Sequence, residues 1–214
     1  MMMKEHKKTF IITSIVTVLP VLVGLIFWNR LPDEMATNFS FQNEANGFSS
    51  KPFAVFGLPL FCLAMLWISG FATLQDPKKQ NISPKIFSIV LWIVAAVSLI
   101  SSTVIYTYNL GLRVDFTFFM ELMPGLLFII IGSCLPKARQ NYTIGIKTPW
   151  TLANEENWKR THRLAGFLWR SGGVLISIAV LTRMDSGKLF LAILIIMALV
   201  PYGYSCYLHA KENL

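Results

Sequence analysis

The sequence predicts an all-α integral membrane protein, and three observations support that prediction. Of its 214 residues, 54% are hydrophobic and only 14% are charged. The mean hydropathy of +0.56 is typical of a chain that lies largely within a bilayer. The apolar residues fall in runs of about 20, the length of a helix that crosses a hydrocarbon core of roughly 30 Å. Length and hydropathy together predict about six transmembrane helices and leave no room for a separate catalytic domain.

Residues 1–85 predict a two-helix region, with spans at about 9–28 and 52–74. The first run follows a basic start, as a signal peptide would, but it is too long and lacks a small-x-small cleavage site, so we expect a retained helix. Pro20 is expected to bend or interrupt that helix. Residues 29–51 are rich in turn formers and predict an irregular loop of turns.

Residues 86–214 predict a four-helix region that contains the longest polar stretch of the chain. A polar loop at 136–163 separates the second of these helices from the third, and Pro136 marks the point where the earlier helix ends. The four spans are predicted at about 86–108, 116–135, 164–182 and 189–208.

The lysines and arginines predict the orientation of these six spans. An even number of spans places both termini on one side, and thirteen of the 19 Lys and Arg lie in segments of that side, against five on the other. By the positive-inside rule both termini and the 136–163 loop are cytoplasmic, and the 29–51 loop is outside. The same rule accounts for the net charge of +8, so we expect no direct binding of nucleic acid.

The sequence offers no cofactor or metal motif. The three cysteines lie in separate apolar runs without CxxC or Cys/His spacing, which supports neither a disulfide nor a zinc site. Gly-rich phosphate loops, GxSxG and HExxH are also missing. We therefore predict a protein without a cofactor and without enzymatic activity.

Residues 141–169, here called the polar segment, are where partner recognition is expected. Residues 142–150 should be extended or looped, and Asn154 should cap the helix that follows, with Thr151 as the competing cap. Small and aromatic residues then recur at three- and four-residue steps, which predicts one packed stripe on a helix that continues into the fifth span. The stripe comprises Trp158, His162, Ala165, Gly166, Trp169, Gly172 and Gly173.

The opposite face of this helix carries charges. Glu155 and Glu156 precede Lys159 and Arg160 by four residues, the favourable order for ion pairs. We expect the exposed cations to face anionic lipid, with docking of a cytoplasmic protein or an acidic ligand as the alternative. These cations are Lys159, Arg160 and Arg163.

The sequence supports a specific expectation for each of two aromatic residues in the same helix. Trp158 is expected to dip into the lipid headgroups. His162 is expected to be a structural hydrogen-bonding residue, with a metal-binding, switching or catalytic role as the alternative. The catalytic alternative would use His162 with Glu155 or Glu156 as an intramembrane enzyme.

The polar segment resembles the signature of a known family. The sequences NYTIGIKTPWTL from Asn141, NEENW from Asn154 and THRLAG from Thr161 closely resemble that of the SdpI family of bacterial membrane proteins. The first third of the chain is similar to the small DUF1648 domain that often precedes the signature. Lys147 stands where the family pattern GIRTPW has Arg, which keeps the charge but loses the planar fork.

What the resemblance implies is a multi-span immunity protein that protects a Gram-positive cell against a secreted killing-factor toxin peptide. It also implies signalling, in which a cytoplasmic repressor of the ArsR-like type is held at the membrane. The residues expected to carry cytoplasmic recognition are Asn141, Gly145, Lys147, Thr148, Pro149, Trp150, Thr151, Trp158, Lys159, Arg160, His162 and Arg163.

Contact with a toxin would take place outside. The candidates are Phe39, Phe41 and Phe48 in the 29–51 loop, and Glu121 near the outer end of the fourth span. The alternative for Glu121 is a structural role, at the headgroups or paired with Arg113. A small transporter or permease subunit is the alternative function, suggested by proline-interrupted spans and by ionisable residues within apolar runs.

Overall fold

The computed structural model describes residues 2–40, 44–112, 116–184 and 187–212. Within these ranges the chain forms helices and one β-hairpin. The helices are α1 (Met2–Ile26), α2 (Leu58–Gln75), α3 (Pro84–Asn109), α4 (Phe116–Cys134), α5 (Pro149–Ala153), α6 (Glu155–Leu181) and α7 (Gly187–Glu212), and the strands are β1 (Glu34–Phe39) and β2 (Ala45–Ser50).

Five of the described helices are long and apolar enough to cross a membrane. They are Lys7–Ile26, Phe53–Gln75, Pro84–Asn109, Glu155–Leu181 and Gly187–Lys211. The α4 region contributes a shorter apolar helix, Leu122–Lys137. The expected class of helical, multi-pass membrane protein is confirmed, and α1 runs through Pro20 without the interruption that we considered.

The prediction of an irregular loop for residues 29–51 was wrong, because the region contains a β-hairpin. β1 and β2 pair antiparallel, with Met35 opposite Ser49 and Ala36 opposite Phe48. The register shifts on both sides of Asn38. Such irregularities blur the period-two alternation by which a strand is recognised, so the turn formers of this stretch dominated the sequence pattern.

The hairpin rests on a small apolar core and is held by two polar side chains. Asn109 of α3 bonds both backbone groups of Ala36, each at 2.9 Å. Lys51, buried to 8% exposure, pairs with Asp33 at 2.9 Å and donates to the Trp28 carbonyl. The core consists of Leu31, Met35, Ala54, Val55, Ile105 and Tyr106.

The described chain divides into two compact units. One comprises Met1–Leu74 and Phe87–Phe119, and so contains α1, the hairpin, α2 and most of α3. The other comprises Gln75–Ile86 and Met120–Leu214, and so contains a connecting loop and α4 to α7. The polar segment belongs entirely to the second unit.

In the second unit, α4 and α6 approach each other through glycines. A Cβ on Gly173 would lie 2.5 Å from the Gly125 carbonyl oxygen, and one on Gly132 would lie 2.6 Å from the Arg170 amide nitrogen. Small residues that let two backbones approach this closely are typical of packing between membrane helices. The predicted stripe of α6 is packed along its length: its tryptophan, histidine, alanine and glycine positions are buried, except that Trp169 is half-buried. Gly173 packs on α4, whereas Gly172 packs on α7.

Candidate functional site

The polar segment begins with a capped turn and a short helix. The Thr148 hydroxyl accepts from the Thr151 amide at 3.1 Å, and the Thr151 hydroxyl accepts from the Thr148 amide at 2.9 Å. This reciprocal capping starts α5 at Pro149. The extended or looped structure expected for residues 142–150 therefore holds up to Thr148 and is wrong for Pro149 and Trp150.

The expected cap of the long helix α6 is confirmed. The Asn154 side-chain oxygen accepts from the amides of Glu156 and Asn157, at 2.8 and 3.0 Å. These bonds satisfy amides that have no partner in the first turn of a helix. Thr151, the competing candidate, lies inside α5 and does not cap α6.

Trp158 does not reach the headgroups, and that prediction was wrong. Its side chain is fully buried, and the indole nitrogen donates to the Ala138 carbonyl at 2.8 Å. Its ring stacks on the His162 ring with 4.0 Å between centroids. A carbonyl acceptor brought close by the chain fold allows the amphipathic indole to be buried instead of lying at an interface.

His162 joins the looped chain to α6 through both ring nitrogens. Nε2 accepts from the Ile146 amide at 2.9 Å, so the proton lies on Nδ1, which donates to the Trp158 carbonyl at 2.8 Å. The ring is thus a neutral hydrogen-bonding bridge. Glu155 and Glu156 are exposed and paired with cations, so the histidine and the two glutamates do not come together as a catalytic group.

Gly145 lets the chain pass close to this ring pair. Its φ of +127° is one that residues with a side chain rarely adopt. A Cβ there would collide with Nε2 of His162 and would lie 3.0 Å from the Trp158 ring. The requirement for glycine is therefore both conformational and steric.

Asp76 is an anchor of the polar segment that the sequence analysis missed. It is 4% exposed, and its carboxylate accepts from the amides of Lys78 and Tyr142 at 2.7 and 2.8 Å and from the Thr143 hydroxyl at 2.5 Å. In the sequence it stands before Pro77, a pattern that indicates only a loop boundary. Its partners at Tyr142 and Thr143 lie more than sixty positions away, so no local pattern marks the contact.

Asn141 and Gln140 add further hydrogen bonds on this side of the polar segment. The Asn141 oxygen accepts from the amides of Thr143 and Ile144, at 2.9 and 2.6 Å, which makes a tight turn. The Gln140 side chain accepts from the Lys78 ammonium and donates to the Thr151 carbonyl. Gln140 was another residue that the sequence analysis missed.

A second buried network ties the segment to α7. Ser205 donates its hydroxyl to the Asn157 side-chain oxygen at 2.9 Å, and the Asn157 amide nitrogen donates to the Ser205 carbonyl at 2.9 Å. The hydroxyls of Ser205 and Thr148 lie 3.0 Å apart. Ser205 lies in an apolar run, and a single small polar residue there does not by itself indicate a buried hydrogen-bond network.

The other predicted site residues are dispersed. Lys147 is exposed and donates to the Thr143 carbonyl at 3.2 Å, and the Trp150 ring stacks on His209. Phe39 packs on Tyr108 at 4.9 Å between ring centroids, whereas Phe48 is 57% exposed. Two predicted positions are not described: Phe41, and the side chain of Glu121.

Beside these contacts of the polar segment lies a cleft of about 480 Å³, here called the basic cleft. Its walls come from the turn after α4 and from the first three turns of α6. Five cations line it, together with Glu155 and Glu156: they are Lys137, Arg139, Lys159, Arg160 and Arg163. Across the described ranges, no three His, Cys, Asp or Glu side chains are grouped so that they could hold a metal ion.

The chain is similar to known proteins over most of its length. Residues 137–205 match the SdpI/YfhL protein family, and residues 15–63 match a domain of unknown function, DUF1648. The chain is 27% identical over 205 residues to the immunity protein SdpI of Bacillus subtilis (strain 168), covering 96% of this chain and 97% of that protein. No solved structure matches the chain.

Proposed function

We propose that the chain, whose residues 137–205 match the SdpI/YfhL protein family, is a membrane immunity protein. It protects a Gram-positive bacterium against a secreted toxin peptide. The observation that carries the proposal is the alignment with the immunity protein SdpI, which covers 96% of the chain. Because so little of the chain is left out, the alignment reaches both the hairpin and the polar segment. The protein acts by binding and carries out no catalysis.

The proposal includes six spans with both termini in the cytoplasm. α4 supplies the sixth span, since its 19 residues rise about 28 Å as a helix, close to the thickness of the hydrocarbon core. The excess of cations at the termini and in the 136–163 loop supports this orientation.

Cysteine labelling tests the orientation. In a chain whose three native cysteines are replaced, a membrane-impermeant maleimide should label Ser50→Cys in intact cells. The same reagent should label Lys211→Cys only after the membrane is permeabilised. Both side chains are exposed in the structure, so the reverse pattern would contradict the proposed orientation.

Protection is tested directly by survival. A sensitive Gram-positive host that expresses the chain should survive killing-factor peptides made by the strain that carries the gene. Absence of protection against all of those peptides, at normal membrane levels, would contradict the proposal. Substrate-dependent flux in proteoliposomes, lost in Glu121→Gln, would instead support a small transporter.

The hairpin is the proposed place of toxin contact. Phe48 offers an exposed aromatic side chain there, which an amphipathic peptide can cover. Phe48→Ala should reduce survival under toxin challenge. Phe61→Ala is the matched control, because Phe61 is 63% exposed on the apolar helix α2; equal loss in both variants would count against a contact at the hairpin.

The exposed face of α6 is the proposed place of signalling to an ArsR-like repressor. Lys159, Arg160 and Arg163 are exposed and surround the basic cleft, where they can meet acidic groups of a cytoplasmic protein. Replacing all three by Gln should abolish recruitment of the repressor and leave protection intact. Loss of both functions together at normal membrane levels would show that the two roles are not separable.

A further inference from the structure

The charges of the basic cleft are only partly neutralised. Lys159 pairs with Glu155 at 3.1 Å and Arg160 pairs with Glu156 at 2.7 Å. For the other three cations, no carboxylate of the described chain lies within ion-pairing distance. They are Lys137, Arg139 and Arg163, and all three are exposed. The cleft therefore retains an excess of positive charge and is suited to an anion.

The cleft lies where an apolar helix surface begins. Arg163 continues along α6 into an exposed stripe at three- and four-residue steps, in which Phe167 is 62%, Val174 44% and Leu181 63% exposed. Such a stripe on a membrane helix faces acyl chains. A ligand that fills the cleft and continues along this surface needs an anionic head and an apolar tail.

Arg170 extends the cationic group into the apolar stripe. It lies seven residues after Arg163, which places it on the same face about 10 Å further along the helix. Its side chain is exposed, and its Nε donates to the Gly166 carbonyl at 3.1 Å. An arginine exposed on a lipid-facing helix surface is costly unless it reaches a phosphate or the interface.

We propose that the basic cleft and Arg170 form a binding site for the phosphate headgroup of an anionic phospholipid, with the acyl chains lying along the exposed stripe of α6. The volume of about 480 Å³ is within the roughly 300–1,000 Å³ range of ligand-binding clefts. Arg139, Lys137 and Arg163 bind the phosphate, and Arg170 binds the lipid at the level where the chains begin. The proposal does not rest on protection against a toxin, but it assigns the cleft and Arg163 to a lipid, so a lipid bound there and a docked repressor would compete for the same cations.

Binding is tested with the purified full-length chain in mixed micelles. Phosphatidylglycerol should stabilise the protein against heat at a concentration about tenfold lower than phosphatidylcholine with the same chains. Glycerol 3-phosphate and a poly-glutamate peptide, added separately, should compete weakly. If either competes as well as the lipid, the cleft binds a small anion or an acidic protein, and the lipid proposal fails.

Variants locate the site. Lys137→Gln, Arg139→Gln and Arg163→Gln together should reduce the preference for phosphatidylglycerol to about twofold or less, since each cation near a membrane contributes to anionic lipid binding. Removing the exposed Lys7, Lys8 and Lys211 in the same way is the matched control and should leave the preference unchanged. Equal losses in both triple variants would overturn the proposal.

Single variants cover the case in which the triple variant does not fold. Arg163→Gln alone should weaken the binding of phosphatidylglycerol about fivefold. Arg170→Lys should retain most of the binding, because a lysine keeps the charge at that depth. Unchanged affinity in Arg163→Gln, with a normal melting temperature in the absence of lipid, would also overturn the proposal.

Discussion

The hairpin and the polar segment are both polar insertions between apolar helices, yet they are held in different ways. The hairpin combines its own backbone ladder with a small apolar core, and Asn109 and Lys51 support it by side-chain hydrogen bonds. The polar segment has little regular structure before α5. It is held by buried side chains, of which Asp76 and Ser205 come from distant parts of the chain and His162 comes from its own helix α6. A surface held by its backbone can present side chains such as Phe48 to a partner, whereas a segment held by buried side chains serves as a scaffold for its exposed rim.

The largest effect on stability is expected for Trp158→Ala. The change removes a fully buried aromatic side chain and leaves the Ala138 carbonyl without its donor, so the free energy of unfolding should fall by about 4 kcal/mol. Thermal or detergent unfolding of the purified chain measures it. The control is Trp92→Ala, at a tryptophan that is 44% exposed. An equal loss of stability there would contradict the claim that the buried contacts of the polar segment make Trp158 important.

Gly145→Ala tests the close approach of the chain to His162. The added methyl group meets the ring, and the backbone conformation at φ +127° is strained for alanine, so we expect a loss of about 3 kcal/mol. Gly203→Ala is a matched control, because a Cβ at that helical position meets nothing within 4 Å. That control should be neutral or slightly stabilising. A neutral Gly145→Ala variant would show that the segment can shift away from the ring.

Asp76→Asn tests whether the buried carboxylate anchors the segment. Asparagine keeps the shape of aspartate but directs an NH₂ group toward donors, so either the contacts of Lys78 or those of Tyr142 and Thr143 are lost. We expect the free energy of unfolding to fall by about 2 kcal/mol. Limited proteolysis should then cut within residues 141–148 first. Glu44→Gln, at an exposed acidic residue next to β2, should change neither measurement.

The smallest effect is expected at the hairpin, for Lys51→Met. The ammonium lies 2.9 Å from Asp33, whose side chain is fully exposed, and 5.3 Å from the centre of the Trp28 ring. Methionine preserves the packing of the stem, so the loss should be about 1 kcal/mol. Asp33→Asn keeps the bond from the Lys51 ammonium to the Trp28 carbonyl, so it should lower the unfolding midpoint by less. A loss as large as that of Trp158→Ala would erase the contrast between the two regions.

The sequence alone determined the class of this protein and much of its local structure. Apolar runs of a fixed length predict membrane helices whatever their partners, because the bilayer imposes the length. The Asn154 cap, the two ion pairs of α6 and its packed stripe also follow from spacings of two to four residues. These features depend on neighbours in the chain, so a local pattern is sufficient to predict them.

Only the tertiary structure decided where the buried polar groups are satisfied. Trp158 was expected at the headgroups and is instead bonded to Ala138, and the hairpin was hidden by its irregular register. Asp76, Gln140 and Ser205 gave no local signal, since their partners become neighbours only when the helices assemble. A buried donor or acceptor must find a partner wherever the fold brings one within about 3 Å, and sequence separation places no limit on that choice.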